Sequence, residues 1–85
     1  MNTSYIYLVD FHDENGLSCN APTAYANYAD ALEEYNRVRK FREANGDTVT
    51  EYMNAEGDGW HERKSVVITN AGLRHLSLTT RFFYK

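Results

Sequence analysis

The chain has 85 residues, 42% of them hydrophobic and 25% charged, enough for one core and one domain spanning residues 1–85. Its net charge of −3 and pI near 5.5 disfavour a binder of nucleic-acid backbone, which needs clustered Lys and Arg to displace counterions. The one cysteine, Cys19, excludes an internal disulfide and favours a reducing, cytoplasmic compartment over secretion.

Residues Met1 to Ser4 lack the basic segment and apolar run of a signal peptide. No stretch approaches a membrane span. Aromatic residues make up 14%, and seven of them are tyrosines. Tyrosine buries its ring while keeping a hydroxyl in water, which suits a small sheet and also binding surfaces.

The first predicted element is a strand over Tyr5 to Phe11, rich in aromatic and β-branched residues. Tyr5, Tyr7, Val9 and Phe11 share one face and Ile6 and Leu8 the other, which predicts an interior strand. His12 to Gly16 end it in a polar turn. Residues 17–27 hold the one proline, Pro22, and read as a loop. A short strand near Leu17 to Asn20 or a helical turn after Thr23 are the alternatives within it.

A helix follows over Tyr28 to Ala44. Tyr28, Leu32, Tyr35, Val38 and Phe41 recur at steps of three and four, one face of a 3.6-residue period. Asn27 is placed to cap it, with Asp30 three positions on. Acidic Asp30, Glu33 and Glu34 precede basic Arg37, Arg39, Lys40 and Arg42, the order that complements the helix dipole. Glu33 and Arg37 are spaced to pair. Asn45-Gly46 supplies the stop.

Three strands are then expected as a meander: Thr48 to Asn54, Trp60 to Thr69, and Leu73 to Tyr84. Ala55 to Gly59 forms the first connection and Asn70 to Gly72 the second. Leu73 is out of phase with Leu76, Leu78, Thr80, Phe82 and Tyr84, which predicts a bulge near His75. The expected fold is α+β: one long helix packed on a four-stranded antiparallel sheet, in the order β-α-β-β-β. Such a sheet buries one face and leaves the other to solvent or a partner.

The sequence presents no recognisable catalytic set. His12, His61 and His75 fall one per segment and Cys19 has no cysteine partner, so neither a zinc set nor another metal site is expected. A Cys19–His nucleophile pair lacks local support. His61 and Glu62 are adjacent on a strand and must point to opposite faces. Counting back from Gly16 or Gly59 fails the calcium-loop pattern at its twelfth position, Pro22 or Ser65. Gly57 and Gly59 sit in a hairpin and do not precede a helix. The expectation is a protein that is not an enzyme and holds no cofactor.

Two surfaces remain. The segment Glu56-Gly57-Asp58-Gly59-Trp60-His61-Glu62 sets the one tryptophan among acidic side chains, and tryptophan is a favoured interface anchor. Whether Trp60 is exposed or tucked into the core edge is open at this level. With Tyr52, the residues Glu56, Asp58, Trp60 and Glu62 are the candidate protein-binding set. The alternative is a nucleic-acid-associated face of Arg37, Arg39, Lys40 and Arg42, joined by Arg63 and Lys64. Acidic residues outnumber basic ones twelve to nine, which favours a solvated helix face instead.

In its small size, acidity, tyrosine content, single helix on a meander and lack of a catalytic set, the chain resembles the small inhibitor proteins that phages and mobile elements encode, such as anti-CRISPR proteins. That resemblance implies a protein-binding inhibitor acting in the cytoplasm of a bacterial host cell. Its target would be a host protein or ribonucleoprotein complex of a defence system, blocked through an acidic and aromatic surface. Self-association through an open sheet edge can coexist with that role.

Overall fold

The computed structural model describes residues 3–19 and 21–84. The elements are β1 (Thr3–Asp13), β2 (Thr23–Tyr25), α1 (Tyr28–Ala44), β3 (Thr48–Gly57), β4 (Trp60–Thr69) and β5 (Gly72–Tyr84). They build a five-stranded antiparallel sheet in the order β2-β1-β5-β4-β3, one strand more than the sequence predicts. The added strand, β2, lies in the segment expected to be a loop and pairs Tyr25, Ala24 and Thr23 with Tyr7, Leu8 and Val9. Three residues give no periodicity to read. Its pairing makes β1 an interior strand, as the composition of both β1 faces implies.

The turn before β2 is held locally. The Asp13 carboxylate accepts from the Asn15 and Leu17 amides at 2.9 and 3.0 Å, and Ser18 forms a single bridge with His12. This accounts for the acidic residues of that turn without a bound ion.

Helix α1 has the predicted bounds. The Asn27 side chain accepts from the Asp30 amide at 3.0 Å, and Gly46 takes φ 92° after the last turn. The face that packs is built on Ala31 and Tyr35, both fully buried, with Tyr28, Leu32 and Val38 partly buried. Phe41 departs from the expected stripe and is 56% exposed. Arg42 occupies the position over the sheet instead, its guanidinium 4.5 Å from the Phe11 ring centroid. A cation held over an aromatic face stands in for an apolar side chain there. Arg37 pairs with Glu34 at 2.6 Å, one turn position nearer than the expected Glu33.

The core is one-sided. Tyr7, Val9 and Phe11 of β1, Leu76 and Leu78 of β5, and Val67 of β4 close on Ala31 and Tyr35. Beneath the helix centre lies a buried polar cluster. The Tyr35 hydroxyl bonds Ser65 and also donates to Glu51 at 3.0 Å. Glu51 receives two hydrogen bonds from Arg63, at 3.1 and 3.2 Å, and Arg39 approaches to 3.6 Å. Burial pushes the Tyr35 phenol up to about 12. Burial also raises Glu51, but hydrogen bonds from Arg63 and Tyr35 and the two arginine charges outweigh it, leaving the carboxyl below its ordinary range.

The bulge falls elsewhere than expected. β5 runs in unbroken register with β4 through His75, and Leu73 simply joins the other face. The irregularity is in β3, between Glu51 and Met53, at Tyr52. The first hairpin is also tighter than Ala55 to Gly59 suggests: Gly57 pairs with Trp60, leaving Asp58-Gly59 as the turn, with Gly59 at φ 81°.

Candidate binding face

A helix of 17 residues covers one side of strands up to 13 residues long. The opposite side of the sheet has no helix over it. Registers place its side chains in rows. His12 of β1, His75 of β5 and Val66 of β4 form one row. Asp10, Ser77, Lys64 and Met53 form the next, and Leu8, Thr79, Glu62 and Ala55 the next. Ile6 and Arg81 continue toward the hairpin end.

A hollow of about 400 Å³ lies over the middle rows, bounded by Pro22 on one side and Tyr52 on the other. Its charges are largely paired within the face. Lys64 Nζ meets Glu62 at 3.2 Å. His12 Nδ1 lies 3.2 Å from Asp10, whose other oxygen accepts from the Ser18 hydroxyl at 3.1 Å. The His12 and His75 rings stack with centroids 5.3 Å apart. Arg81 is the exception: it is exposed and has no ion pair among the described residues.

A second hollow, about 220 Å³, opens at the hairpin end between Trp60 and Phe82. Pairing of β4 with β5 stops at Glu62 and Thr79, whereas β5 continues beside β1 to Tyr84 and β4 beside β3 back to Trp60. The sheet forks there. The Thr80 hydroxyl accepts from the His61 amide and donates to the His61 carbonyl, both at 2.7 Å, so a side chain meets backbone groups that a strand would otherwise meet.

The five candidate protein-binding residues divide. Tyr52, 55% exposed at the bulge, borders the open-face hollow. Trp60, 38% exposed, and Glu62 lie at the fork. The Trp60 indole lies over Gly57, where an added Cβ would come within 2.2 Å of it, so Trp60 is neither core nor free. Glu56 turns to the helix side and meets His61 Nδ1 at 3.2 Å, while His61 stacks on Tyr28 with centroids 3.6 Å apart. Asp58 is in the turn. His61 and Glu62 point to opposite faces, as strand geometry requires.

The basic helix residues do not form one face. Arg37 is held by Glu34, Arg39 reaches in to Glu51, and Arg42 lies over Phe11 with Asp47 at 3.7 Å. Lys40 alone of the four is exposed and unpaired among the described residues. Arg63 is on the helix side with Glu51 and Lys64 on the open side with Glu62.

Among the described residues no three His, Cys, Asp or Glu side chains gather to hold a metal ion. Exposed Cys19 lies beside a shallow surface lined by Arg42, Asp47 and Arg74 and containing no histidine. No helix among the described residues is long and apolar enough to cross a membrane. The open-face rows were the feature that sequence reasoning missed. The alternation in β1 and β5 carries them, but only the β1–β5–β4 register brings His12, Asp10, Lys64 and Arg81 to one surface. No family model, curated protein or solved structure matches the chain.

Proposed function

We propose that this chain is a non-enzymatic binding protein that engages a protein partner through the open face of its sheet. The observation that carries this reading is the composition of that face: exposed rings at Tyr52 and Trp60 beside the Lys64–Glu62 ion pair and the Asp10 carboxylate. Aromatic anchors in a mixed polar surround are the composition of protein interfaces. A nucleic-acid surface would call for an excess of free cations, and the basic helix residues are mostly engaged in ion pairs.

Resemblance to small phage inhibitors gives the partner class: a host defence protein or ribonucleoprotein. Direct charge mimicry of DNA is not part of the reading, because the carboxylates without an ion pair or side-chain hydrogen bond among the described residues, Glu14, Asp30, Glu33, Glu43 and Asp58, sit on a turn, two parts of the helix and a hairpin tip. The experiment is photocrosslinking from benzoylphenylalanine placed at Tyr52, at Lys64, or at Lys40 on the helix, in bacterial cells. The expected result is one shared protein adduct from Tyr52 and Lys64 and none from Lys40. Adducts from Lys40 alone, or none from the sheet positions, would refute it.

A further inference from the structure

The two hollows adjoin at Thr79 and Arg81, making a trough that follows β5 along the open face from His75 to Arg81. Six residue steps of a strand span roughly 20 Å, the length of about six extended peptide residues. The trough has a polar floor, with Ser77 and Thr79 between the strands' charged residues, and rings at its ends and side. At its far end the fork leaves β4 and β5 without each other as ladder partners.

The charges along the trough determine what can fill it. Lys64 is held by Glu62, and Asp10 accepts from the Ser18 hydroxyl with the His12 ring beside it. Arg81, at the junction of the two hollows, has no counter-charge among the described residues. Covering it with an uncharged or basic occupant would strand a guanidinium, which is costly, whereas a carboxylate offers it two parallel hydrogen bonds.

Resting on the binding-protein reading above, we propose that the trough takes an extended segment of the partner, lying along β5 and presenting an acidic side chain to Arg81. An extended chain matches the length of the trough, whose side-chain pockets would supply selectivity. Single-stranded nucleic acid would also bring anions and could stack on the rings. Its repeated phosphates, however, would meet one free cation among the described residues and the carboxylates of Asp10 and Glu62.

Trp60 is the chain's one tryptophan and lines the fork, so its fluorescence reports on the trough. The probes are hexaglutamate, hexalysine and hexauridylate, titrated at low salt into the intact chain and into its Arg81→Gln, Arg81→Glu and Lys40→Gln variants. Hexaglutamate is expected to shift the Trp60 emission. Its apparent affinity should weaken about three- to fivefold in Arg81→Gln, the size of one exposed ion pair, and further in Arg81→Glu, with Lys40→Gln unchanged. The shift should fade in molar salt. The proposal is overturned if hexaglutamate gives no shift, if Arg81→Gln leaves its titration unchanged, or if hexalysine or hexauridylate binds more tightly. Should the Tyr52 and Lys64 crosslinks form while these titrations fail, the binding-protein reading stands and the acidic-segment inference alone falls.

Discussion

The Tyr35 hydroxyl is the point at which helix and sheet are most firmly joined, and Tyr35→Phe measures it with little change of shape. The ring stays, so the packing against Ala31 and Val67 and the guanidinium contacts of Arg39 and Arg63, at 5.9 and 5.4 Å, stay with it. What is lost is the bond to Ser65, a residue with no exposed surface, and one of the hydrogen bonds to Glu51. An orphaned buried hydroxyl costs about 1–3 kcal/mol. The Glu51 bond adds less, because that carboxylate keeps both bonds from Arg63. The expected loss is roughly 2–3 kcal/mol, a large part of the roughly 4–13 kcal/mol typical for a chain of this length.

Urea unfolding followed by Trp60 emission reads this as a shift in midpoint at constant slope. A second signature separates the hydroxyl from generic packing damage. The folded phenol is pushed up to about 12 from the usual 10.0. Its contribution is therefore complete below pH 10 and is lost as pH rises through 12, because the unfolded chain gives up the proton first. Two pH units correspond to at most roughly 2.7 kcal/mol. The stability gap between wild type and Tyr35→Phe should close over that interval, while the other tyrosines titrate in both proteins alike. A gap under about 0.5 kcal/mol at pH 7, or one that persists undiminished at pH 12, refutes the account. Adding Ser65→Ala to Tyr35→Phe should cost little more, since removing both partners leaves no orphan.

Two further changes probe the frame of the site. Glu51→Gln removes the charge that compensates Arg39 and Arg63 and should destabilise by roughly 2 kcal/mol at pH 7. Because the folded Glu51 carboxyl lies below its ordinary range, its contribution is present above the unfolded pKa and lost as pH falls through the folded one. The difference between wild type and Glu51→Gln should therefore shrink on acidification in urea midpoints, and a constant difference would contradict it. Gly57→Ala and Gly59→Ala should behave differently from each other. At Gly57 the new methyl's nearest neighbours are atoms of the Trp60 indole, the first at 2.2 Å, so the ring should swing out and its emission shift red with little loss of stability. At Gly59 the methyl meets the Tyr5 ring at 2.9 Å on a backbone at φ 81°, which should cost about 1–3 kcal/mol. Equal effects at the two positions in emission and urea midpoint would show that the hairpin tip is not packed as described.

The long elements were legible because their signals are periodic. The helix bounds followed from Asn27, the three-and-four spacing and Asn45-Gly46, and β4 and β5 from alternation between turns. Strand β2 was not legible, because three residues beside Pro22 have no period and are strand only by virtue of pairing with Tyr7 to Val9. The stripe of α1 was misread at its end because hydropathy ranks Phe41 above Arg42. Arg42 lies over the core instead, with Phe11 below it and Asp47 beside it. The bulge was misassigned because one apolar residue out of phase, Leu73, has two explanations: a bulge, or an apolar side chain on the open face. It takes the second. Of the candidate site, Tyr52, Trp60 and Glu62 were named from local composition, whereas Arg81, His12, His75 and Asp10 needed the register to come together.

That register also bears on the proposal that the open face receives a partner. A face meant only for solvent gains nothing from holding its charges in fixed pairs, since exposed pairs contribute little to stability. For a face that is to be covered, the same pairing matters more. Lys64 with Glu62 would enter the covered state already compensated, which lowers the desolvation cost and the ordering cost of binding. The apolar residues of that face, Ile6, Leu8 and Val66, are each only partly exposed and supply area without making the free face prone to aggregation. In the proposed complex Arg81, a cation with no ion pair among the described residues, would be the position at which partners are discriminated, because there the occupant's own charge decides between a gained ion pair and a stranded cation. Substitution at Arg81 should accordingly alter which segment binds more than it alters the stability of the fold, and a urea midpoint that moves with Arg81→Gln as far as the binding does would argue that the residue serves the fold instead.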